Sequence, residues 1–285
     1  MKIKDFKGKK CIITGAASGI GKSTAIKMAK LGANLFLTDI NAPGLEEVAE
    51  LIKKEGGIVS RYKALDVSNY EAVKSFAEEI HNEFEAMDII MNIAGISLWG
   101  EIQNLEHKHW QKCINVDLWG PIHIMECFLK ETIKAGRGGH LVNVSSSAGL
   151  FGLPIHSPYS AAKAGLVGIS EVLRFDLERY DIGVTLVCPG AVNTPLVDTV
   201  EIIGIDRTDP AAEEIQDEFL KRAITPDKVA EQIIKAIKKN KYLILTSFDM
   251  KALYWLKRKM APLYCLIMRR LNKIVDKVKN KKSDY

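Results

Sequence analysis

The sequence predicts an α/β fold, a doubly wound seven-stranded parallel sheet with helices on both faces. Short apolar segments of strand length alternate with longer segments in which apolar residues recur every three or four positions. No linker-like break interrupts this alternation. Crossovers between parallel strands are right-handed, so the helices cover the sheet. We therefore expect one domain over residues 1–248, followed by a basic amphipathic helical extension over residues 249–285.

The predicted strands are short apolar runs, the composition of strands buried on both faces. The segments between them carry apolar residues on one stripe, as amphipathic helices do. The strands are predicted over residues 10–14, 34–38, 58–65, 88–93, 140–145, 183–188 and 242–247. The helices are predicted from about residue 20 to residue 31 and over residues 44–55, 69–84, 105–133, 158–180 and 226–238, with a break at Gly120-Pro121.

Composition and charge narrow the class of protein. The chain has 285 residues, 47% hydrophobic and 26% charged, which is ordinary for a large soluble domain. Residues 248–285 carry 11 Lys and Arg against 3 Asp and Glu, whereas the rest carries 29 against 32. The positive charge therefore belongs to the extension, and no nucleic-acid partner is expected.

Cysteine usage and hydropathy indicate the compartment. The five cysteines form no Cys-x-x-Cys pair, which argues against a disulfide framework and a structural zinc site. The histidines form no ligand set either, so no metal is expected. No apolar run reaches the 18 or so residues of a membrane span, and the first residues lack the apolar core of a signal peptide. We expect a cytoplasmic protein, with peripheral membrane attachment left open.

Tyr159 and Lys163 follow a serine cluster and a Gly/Pro-rich loop in SSSAGLFGLPIHSPYSAAK. In a helix, side chains four residues apart lie on one face. A lysine ammonium beside a phenol favours the phenolate and lowers the phenol's pKa from its ordinary value of about 10. Such a tyrosine can act as a general acid/base. The spacing alone is common, so its context decides.

The segment TGAASGIG places Gly15, Gly19 and Gly21 between the first strand and the first helix. Glycines there allow a tight turn, and the helix N-terminus offers free N–H groups to a phosphate. The second strand ends at Asp39, about 20 positions on, where a carboxylate would bind ribose hydroxyls and repel a 2′-phosphate. This favours NAD over NADP. The alternative is that Asp39 is only a helix N-cap or turn residue.

Polar residues and glycines cluster at the predicted strand ends. Ligands of such sheets bind beyond the carboxyl ends of the strands. The coincidence of position therefore predicts one ligand site at this edge. The residues are Gly15, Asp39, Asp66, Asn92, the serines at 145–147 and Pro189-Gly190.

Eight segments together resemble the short-chain dehydrogenase/reductase family, in its order and approximate spacing, over roughly residues 5–247. They are TGAASGIG (14–21), Asp39, Asp66-Val67, NIAG (92–95), NVDLWG (115–120), VNVSSSAG (142–149), YSAAK (159–163) and CPGAVNTP (188–195). The resemblance implies a Rossmann-type fold and a nicotinamide cofactor.

The resemblance also implies a catalytic tetrad. Tyr159 would exchange the proton, and Lys163 would lower its pKa and bind the nicotinamide ribose. Ser146, 13 residues before the tyrosine, would hold the substrate oxygen, and Asn115 would support a water in a proton relay. The chain departs from the family at Ile93, where a second Asn is usual, and at Asp117, where Asn is frequent. We expect neither position to be catalytic.

On the cofactor side, the resemblance implies a phosphate loop, a ribose contact at Asp39, and adenine contacts from Asp66 and Val67. Thr194 would contact the nicotinamide carboxamide. The cofactor-binding residues implied are Gly15, Ser18, Gly19, Ile20, Gly21, Asp39, Asp66, Val67, Asn92, Ala94, Gly95, Tyr159, Lys163, Pro189, Gly190, Val192 and Thr194.

The implied reaction interconverts a secondary alcohol and a ketone with NAD. Apolar residues and His156 near the site predict a lipophilic substrate such as a steroid, retinoid, fatty or alicyclic alcohol. The alternatives are a 3-oxoacyl thioester reductase and a catalytically silent NAD-binding sensor or scaffold. A homodimer or homotetramer through the helices at 105–133 and 158–180 is implied. The predicted pocket residues are Ile96, Leu98, Trp99, Leu150, Phe151, Leu153, Leu196, Val197, Val200, Ile202, Ile203 and Ile205.

The extension combines an apolar stripe with Lys and Arg between its members, and Pro262 would start a second helix or kink the first. A basic amphipathic helix of this kind can lie on an anionic membrane surface. It can also pack on its own domain or on a partner subunit, and both alternatives stay open. The stripe is Leu256, Met260, Leu263, Ile267, Leu271, Ile274 and Val278, flanked by Tyr254, Trp255 and Tyr264.

Overall fold

A computed structural model describes residues 3–204 and 220–280, with side chains described as far as residue 273. Its central sheet has seven strands, all parallel, in the order β3-β2-β1-β4-β6-β7-β9. A separate pair, β5 and β8, is also parallel. The strands are β1 Lys10–Thr14, β2 Asn34–Asp39, β3 Ile58–Ala64, β4 Ile89–Asn92, β5 Leu98–Gly100, β6 Gly139–Val144, β7 Ile182–Cys188, β8 Glu201–Ile203 and β9 Leu243–Leu245.

Helices connect the strands and extend the chain beyond β9. They are α1 Gly19–Lys30, α2 Ala42–Lys54, α3 Tyr70–Phe84, α4 His107–Ile114, α5 Gly120–Ala135, α6 Ser157–Asp176, α7 Pro195–Thr199, α8 Pro226–Lys239, α9 Phe248–Lys259 and α10 Ala261–Asn280. A π-helical turn, Asn115–Trp119, joins α4 to α5.

The two faces of the sheet carry separate apolar cores. On one face, α1, α2 and α8 pack through residues such as Met28, Val48 and Ile233. On the other, α3, α5 and α6 pack through residues such as Phe76 and Phe128. Both cores are buried against the strands, at roughly 1.5–3 kcal/mol for each large side chain. The predicted doubly wound seven-stranded sheet is confirmed, and the strand order reverses between β1 and β4, where such sheets bind ligands.

Local side-chain hydrogen bonds set several helix starts. The side chain of Asn41 accepts a hydrogen bond from the N–H of Gly44, so α2 begins two residues earlier than its apolar pattern predicts. Asn69 accepts from Ala72 in the same way before α3. The helix predicted over 158–180 ends at Asp176 instead, because a 3₁₀ turn and the left-handed Asp181 follow it.

The helix predicted over 105–133 consists of two helices and the π-helical turn between them. A π turn inserts a residue into the helical repeat and often marks a functional site. The side chains after α4 are therefore rotated relative to a continuous helix, and Asp117 faces the interior, where it is fully buried.

The pair β5–β8 was not predicted, because three-residue strands carry too little pattern to recognise. Their contact nevertheless ties distant segments together at Gly100. Gly100 pairs with Ile203 of β8, and its N–H donates to the carbonyl of Ile155, 2.7 Å away. It also forms a β-bridge with His156. A Cβ at Gly100 would lie 2.9 Å from Leu105 and 3.0 Å from Ile203, so the junction requires glycine.

The C-terminal helices α9 and α10 follow one another across the non-helical Met260 and contact each other, and we call this helix pair, residues 248–280, the C-terminal hairpin. Helix α9 packs its Met250 and Tyr254 beside β7 and β9. In the part of the chain that the structure describes, no helix is long and apolar enough to cross a membrane. The predicted stripe residues Ile274 and Val278, and residues 281–285, lie outside the described side chains.

Candidate active site

The turn between β1 and α1 is built so that only glycine fits. Gly15 has a φ of +68°, and a Cβ there would lie 2.8 Å from the backbone of Ala94. A Cβ on Gly21 would lie 1.9 Å from the carbonyl oxygen of Gly15. Gly19 has a φ of +50° and begins α1, whose N-terminus no side chain of Ser18 caps. The free N–H groups and the close backbone approach suit a phosphate.

Asp39 ends β2 beside this turn, with both carboxylate oxygens held by backbone N–H groups. Oδ2 accepts from Ala17 and Oδ1 accepts from Asn41, each at 2.9 Å. The N-cap of α2 is Asn41, not Asp39. Asp39 thus serves the turn and also presents a fixed carboxylate to the adjoining cleft.

This cleft has a volume of about 760 Å³ and runs across the carboxyl ends of β1, β2 and β4. Eleven of the predicted cofactor-binding residues line it, together with Asn115 from the tetrad. The eleven are Gly15, Ser18, Gly19, Ile20, Gly21, Asp39, Asp66, Val67, Ala94, Gly95 and Thr194.

The other predicted cofactor residues lie elsewhere. Asn92 is buried beneath the cleft, where its Nδ2 donates to Oδ1 of Asn143 at 2.8 Å. It therefore supports the end of β4. Tyr159, Lys163, Pro189, Gly190 and Val192 line a second cavity of about 310 Å³.

The two spaces meet. The cleft and the cavity share Ile20, Ile93, Gly95, Ile96, Thr194 and Leu196. A dinucleotide lying in the cleft could therefore direct its reactive ring into the cavity. Two features fit a dinucleotide. The glycine turn leaves space that a Cβ would fill, and the carboxylate of Asp39 is placed to meet a ribose.

Tyr159, Lys163 and Ser146 lie together on the cavity wall. Tyr159 and Lys163 stand one turn apart on α6, with Nζ 5.7 Å from the centre of the phenol ring. Ser146 lies close enough to the phenol to act on its pKa, and the Ser146 hydroxyl accepts from the N–H of Ala148 at 3.1 Å. The neighbouring Ser145 instead donates to the backbone carbonyl of Lys163 at 2.8 Å. The geometry thus separates Ser146 from the other serines.

Asn115 does not occupy the place beside Lys163, and its predicted role in a water relay stays a prediction. Its side chain is exposed at the cleft, in the first residue of the π turn. Asp117, two residues on, takes that place: Oδ1 lies 3.1 Å from Nζ of Lys163 and accepts from the N–H of Ile96 at 3.0 Å. The sequence did not indicate that position 117 contacts a catalytic side chain. The π turn, which sequence spacing does not reveal, carries the carboxylate inward.

The Lys163–Asp117 pair is buried, with 4% and 0% of the two side chains exposed. Burial raises the pKa of the Asp117 carboxyl, although Lys163 opposes this. Burial alone would lower the pKa of Lys163, but Asp117 and Tyr159 overcome it and leave that pKa raised. Nζ also donates to the carbonyl of Val144 at 3.4 Å.

The pKa of the Tyr159 phenol is raised, not lowered as the Tyr–Lys spacing predicts. Burial is the main cause, and the carboxylate of Asp117 adds to it. Lys163 and Ser146 pull in the opposite direction but do not prevail. The Tyr–Lys spacing reveals Lys163 but not the buried carboxylate of Asp117 beside it.

The cavity walls are mostly apolar. Trp99 from β5 lies against His156, with ring centres 4.3 Å apart, and His156 is near Tyr159 at 6.4 Å. Burial lowers the pKa of His156 to about 4, so the ring is neutral at physiological pH. The predicted wall residues that line the cavity are Ile96, Trp99, Leu153, His156, Leu196, Val197 and Val200.

Other predicted wall residues lie behind the cavity surface or belong to the part of the chain that the structure does not describe. Leu98 packs with Tyr159 and Ile203 in a small buried cluster. Ile205 falls outside the described residues. The sequence missed Asp249 and Met250, which line the cavity from α9. They follow the last strand closely, so the rule of strand ends could have indicated them.

In the described part of the chain no three His, Cys, Asp or Glu side chains group closely enough to hold a metal. All five cysteines are free.

The chain is similar in sequence to known proteins. The model of the family described as short chain dehydrogenase matches residues 9–202. A probable oxidoreductase, EphD, of Mycobacterium tuberculosis strain H37Rv is 36% identical over 250 residues, 86% of this chain but 42% of EphD. The chain thus spans less than half the length of that relative. The 3-oxoacyl-[acyl-carrier-protein] reductase FabG of Thermotoga maritima is 33% identical over 193 residues, 68% of this chain and 78% of FabG.

Solved structures agree with the fold. A short chain dehydrogenase/reductase from Burkholderia phymatum, in complex with NAD, superposes with a TM-score of 0.83 at 27% identity, over 92% of this chain and 96% of the other. A metagenomic short-chain oxidoreductase in complex with NADP gives a TM-score of 0.69 at 26% identity, over 84% and 96%. Proteins of this shape therefore bind either nicotinamide dinucleotide.

Proposed function

The chain belongs to the short chain dehydrogenase family and is an oxidoreductase with a nicotinamide cofactor, and from that premise we propose that it interconverts a lipophilic secondary alcohol and its ketone with NAD. The observation that carries the proposal is the position of Ser146, Tyr159 and Lys163. They stand in an apolar cavity at the point where it opens into the glycine-lined cleft.

In this proposal each side chain has one task. The Ser146 hydroxyl holds the substrate oxygen and orients the carbon that carries hydrogen. Tyr159 takes the hydroxyl proton during oxidation and returns it during reduction, as a general base and acid. Lys163 stabilises the phenolate form through its positive charge. The bound nicotinamide supplies the hydride acceptor, and the protein supplies position and proton transfer.

Asp39 supports the choice of NAD. Its carboxylate would accept hydrogen bonds from ribose hydroxyls, and it would repel a 2′-phosphate. Among the described residues lining the cleft the cation is Lys112, which already pairs with Glu201 at 2.6 Å. It lies on α4, whereas Asp39 ends β2, so no described residue lining the cleft offers the 2′-phosphate of NADP a counter-charge beside Asp39.

The cavity supports a lipophilic substrate. Its side walls come from Trp99 and Leu153 and from residues 195–200, which we call the lid and which contribute Leu196, Val197 and Val200. A polyol would leave most of its hydroxyl groups against these apolar side chains, at a cost of roughly 1–3 kcal/mol for each unpaired group. A hydrophobic alcohol carries one hydroxyl, which Ser146 and Tyr159 can satisfy.

The test is a panel of cyclic and long-chain secondary alcohols, with sugars and polyols as counter-substrates, assayed with NAD and with NADP. We expect turnover of the hydrophobic alcohols with NAD, and turnover confined to polyols would contradict the proposed substrate class. Tyr159→Phe should bind NAD and not turn over. If the wild type also binds NAD without turnover on any alcohol or ketone, the chain is a silent sensor or scaffold.

A second candidate is the reduction of 3-oxoacyl thioesters, which the likeness to FabG favours. It uses the same Ser146, Tyr159 and Lys163 on a 3-oxo group. The added measurement is reduction of an acetoacetyl thioester with the reduced cofactor. A kcat/KM for the thioester above that for every simple ketone would favour this candidate.

We further propose a homodimer or homotetramer that uses α6. Val172 and Phe175 are exposed on that helix, which favours a protein contact there. Light scattering of wild type and of Phe175→Glu would test it, since the variant should dissociate and a monomeric wild type would contradict the proposal.

A further inference from the structure

The C-terminal hairpin has two different faces. Its inner face contacts the loop before α6 and lines part of the substrate cavity. The N–H of Gly152 donates to the hydroxyl of Tyr264 at 2.8 Å, and Nζ of Lys257 donates to the carbonyl of Leu150. Asp249 and Met250 line the cavity itself. The hairpin therefore lies at the cavity and not at the cleft.

The outer face is apolar and aromatic. Phe248 is 83% exposed and Trp255, seven residues later on the same side of α9, is 55% exposed. Helix α10 and the residue before it also expose apolar side chains. They are Met260, Leu263, Leu266 and Leu271. Single exposed apolar residues are ordinary, but a set of this size on two adjoining helices indicates a binding surface.

The charge of the hairpin selects the partner. Residues 248–273 contain seven Lys and Arg and one acid, Asp249. Among the described residues, no carboxylate pairs with these cations, and the ion pairs lie elsewhere in the chain. A protein partner would have to match both a strong positive charge and a Trp-bearing apolar strip. An anionic lipid surface matches both.

We propose that the C-terminal hairpin binds an anionic membrane surface and brings the substrate cavity against the lipid. Trp255 and Phe248 enter the boundary between headgroups and acyl chains, and Arg269 and Arg270 meet the lipid phosphates. The hairpin lies on the membrane and does not cross it. A lipophilic substrate dissolved in the bilayer then reaches the cavity beside Met250 without passing through water.

The experiment is co-sedimentation of the full-length protein with vesicles of phosphatidylcholine alone and with 30% phosphatidylglycerol (on the order of the anionic content of a membrane leaflet). We expect pelleting only with the anionic vesicles, weakened by salt. Arg269→Glu/Arg270→Glu should lower the partition coefficient at least about tenfold. The matched control is Lys54→Glu/Lys74→Glu, which makes the same charge change on exposed lysines of α2 and α3 and should leave pelleting unchanged.

Other outcomes overturn the proposal. If the wild type fails to pellet, or if both double variants pellet alike, the hairpin is not a membrane surface. If Leu263→Gln/Leu266→Gln halves the mass measured by light scattering while vesicles bind none of the forms, the apolar face is an interface between copies of this chain. These readouts need no enzymatic activity, so they are independent of the proposed reaction.

A separate observation concerns Asp117. Position 117, where Asn is frequent in the family, carries a charge in this chain, and its Oδ2 has no hydrogen-bond partner among the described atoms. We infer that Asp117 is a positioning residue that holds Lys163 and sets the pH at which Tyr159 works. This inference rests on the proposed function of the site.

The groups around the pair come from several elements. Tyr159 and Lys163 face Asp117 from α6, and the buried thiol of Cys113 faces it from α4. The segment after β4 contributes the N–H of Ile96, and β6 contributes the carbonyl of Val144. The exposed Lys112–Glu201 pair lies farther out. Asp117 is therefore the only buried carboxylate among these groups.

The sign of its effect follows from charge. A carboxylate near Tyr159 disfavours the phenolate and partly cancels the help that Lys163 gives. Asp117→Asn removes the charge and keeps the oxygen that accepts from Ile96. The apparent pKa on kcat/KM for alcohol oxidation should fall by about one unit, so that oxidation extends to lower pH. Ketone reduction needs the neutral phenol, so the pH above which its rate declines should fall by the same amount.

The test records pH profiles of wild type, Asp117→Asn and the control Glu201→Gln, which removes an exposed carboxylate outside the pair. Asp117→Ser is the second variant, in case the amide does not fold, and should move the profile in the same direction. Unshifted profiles for folded Asp117 variants would overturn the inference. If the wild type oxidises no alcohol at any pH, the proposed function itself has failed, which is a different result.

Discussion

The two halves of the site, the cleft and the substrate cavity, are formed by different parts of the chain's residues. The cleft is shaped by backbone: glycines at 15 and 21 are required because a Cβ would strike main-chain atoms, and Asp39 is held by two N–H groups. The substrate cavity is shaped by side chains from β5, the loop before α6, α7 and α9. A backbone surface can hold only one ligand shape, whereas a side-chain surface can change with few substitutions. This difference explains why the cofactor class follows from the family and the substrate does not.

Tyr159→Phe separates the two halves most strongly. We expect kcat to fall about 10³-fold, within the usual range for a lost general acid/base. NAD affinity should stay near that of the wild type, because the glycine turn and Asp39 are untouched. The measurement is steady-state turnover together with a fluorescence titration of the reduced cofactor. An equal loss of binding and turnover would show that the halves are not independent.

Gly21→Ala tests the backbone half. The new Cβ would lie 1.9 Å from the carbonyl of Gly15, so the turn must move, at a cost of about 1–3 kcal/mol in the free energy of unfolding. Cofactor binding should be lost as well. Gly168→Ala on α6 is the control, because a Cβ there meets nothing within 4 Å in one protomer; since Gly168 shares a helix face with Val172 and Phe175, light scattering checks that the oligomeric state is unchanged. Gly168→Ala should raise stability by about 0.4–1 kcal/mol.

These two alanines are compared by thermal unfolding with and without NAD. The cofactor should raise the Tm of the Gly168 variant and leave that of the Gly21 variant unchanged. A Gly21→Ala protein that NAD still stabilises would show that the turn adapts and that the cleft is less rigid than its contacts indicate.

Asp39→Asn probes the side chain that works within the backbone half. The amide keeps the size of the carboxylate and removes its charge, so a 2′-phosphate is no longer repelled. Its NH2 group cannot accept one of the two backbone N–H bonds, so thermal unfolding of the variant is measured alongside. The ratio of kcat/KM for NAD to that for NADP should fall about tenfold, the value of one hydrogen bond to a charged group. Glu47→Gln on α2 removes an exposed charge outside the cleft and should not change the ratio.

Tyr264→Phe should have the smallest effect, and it tests the side-chain half. It removes the hydroxyl that the N–H of Gly152 meets, worth about 0.5–1.5 kcal/mol. KM for a hydrophobic alcohol should rise a few-fold while kcat and NAD affinity hold. Tyr254→Phe is the control, because its hydroxyl accepts from Arg258 on the same helix. A matching rise in KM for the control would mean that the loop contact is irrelevant.

The sequence predicted the backbone half well for a physical reason. Strands and the glycine turn are local, so the apolar runs and Gly15, Gly19 and Gly21 are visible in a few consecutive residues. The spacing of Tyr159 and Lys163 is also local, because one helical turn brings them together. The seven strands of the main sheet were confirmed in this way.

The rest depends on structure that no short window carries. The π turn places the carboxylate of Asp117 against Lys163, a contact that the sequence spacing did not indicate. The strands β5 and β8 have three residues each, too few to show a recognisable apolar pattern. Met250 reaches the cavity only because α9 folds back on the end of the sheet. In each case the decisive contact joins residues far apart in the chain.

Gly100 gives the cavity a mechanical property. One residue hydrogen-bonds to the segment before α6, bridges to His156 and pairs with β8 beside the lid. We therefore expect a displacement of the lid to be transmitted through β8 to β5 and to the wall formed by Trp99 and His156. The width of the cavity and the path out of it would then change together. An enlarged cavity obtained by substitution in the lid should then also release its product at a different rate.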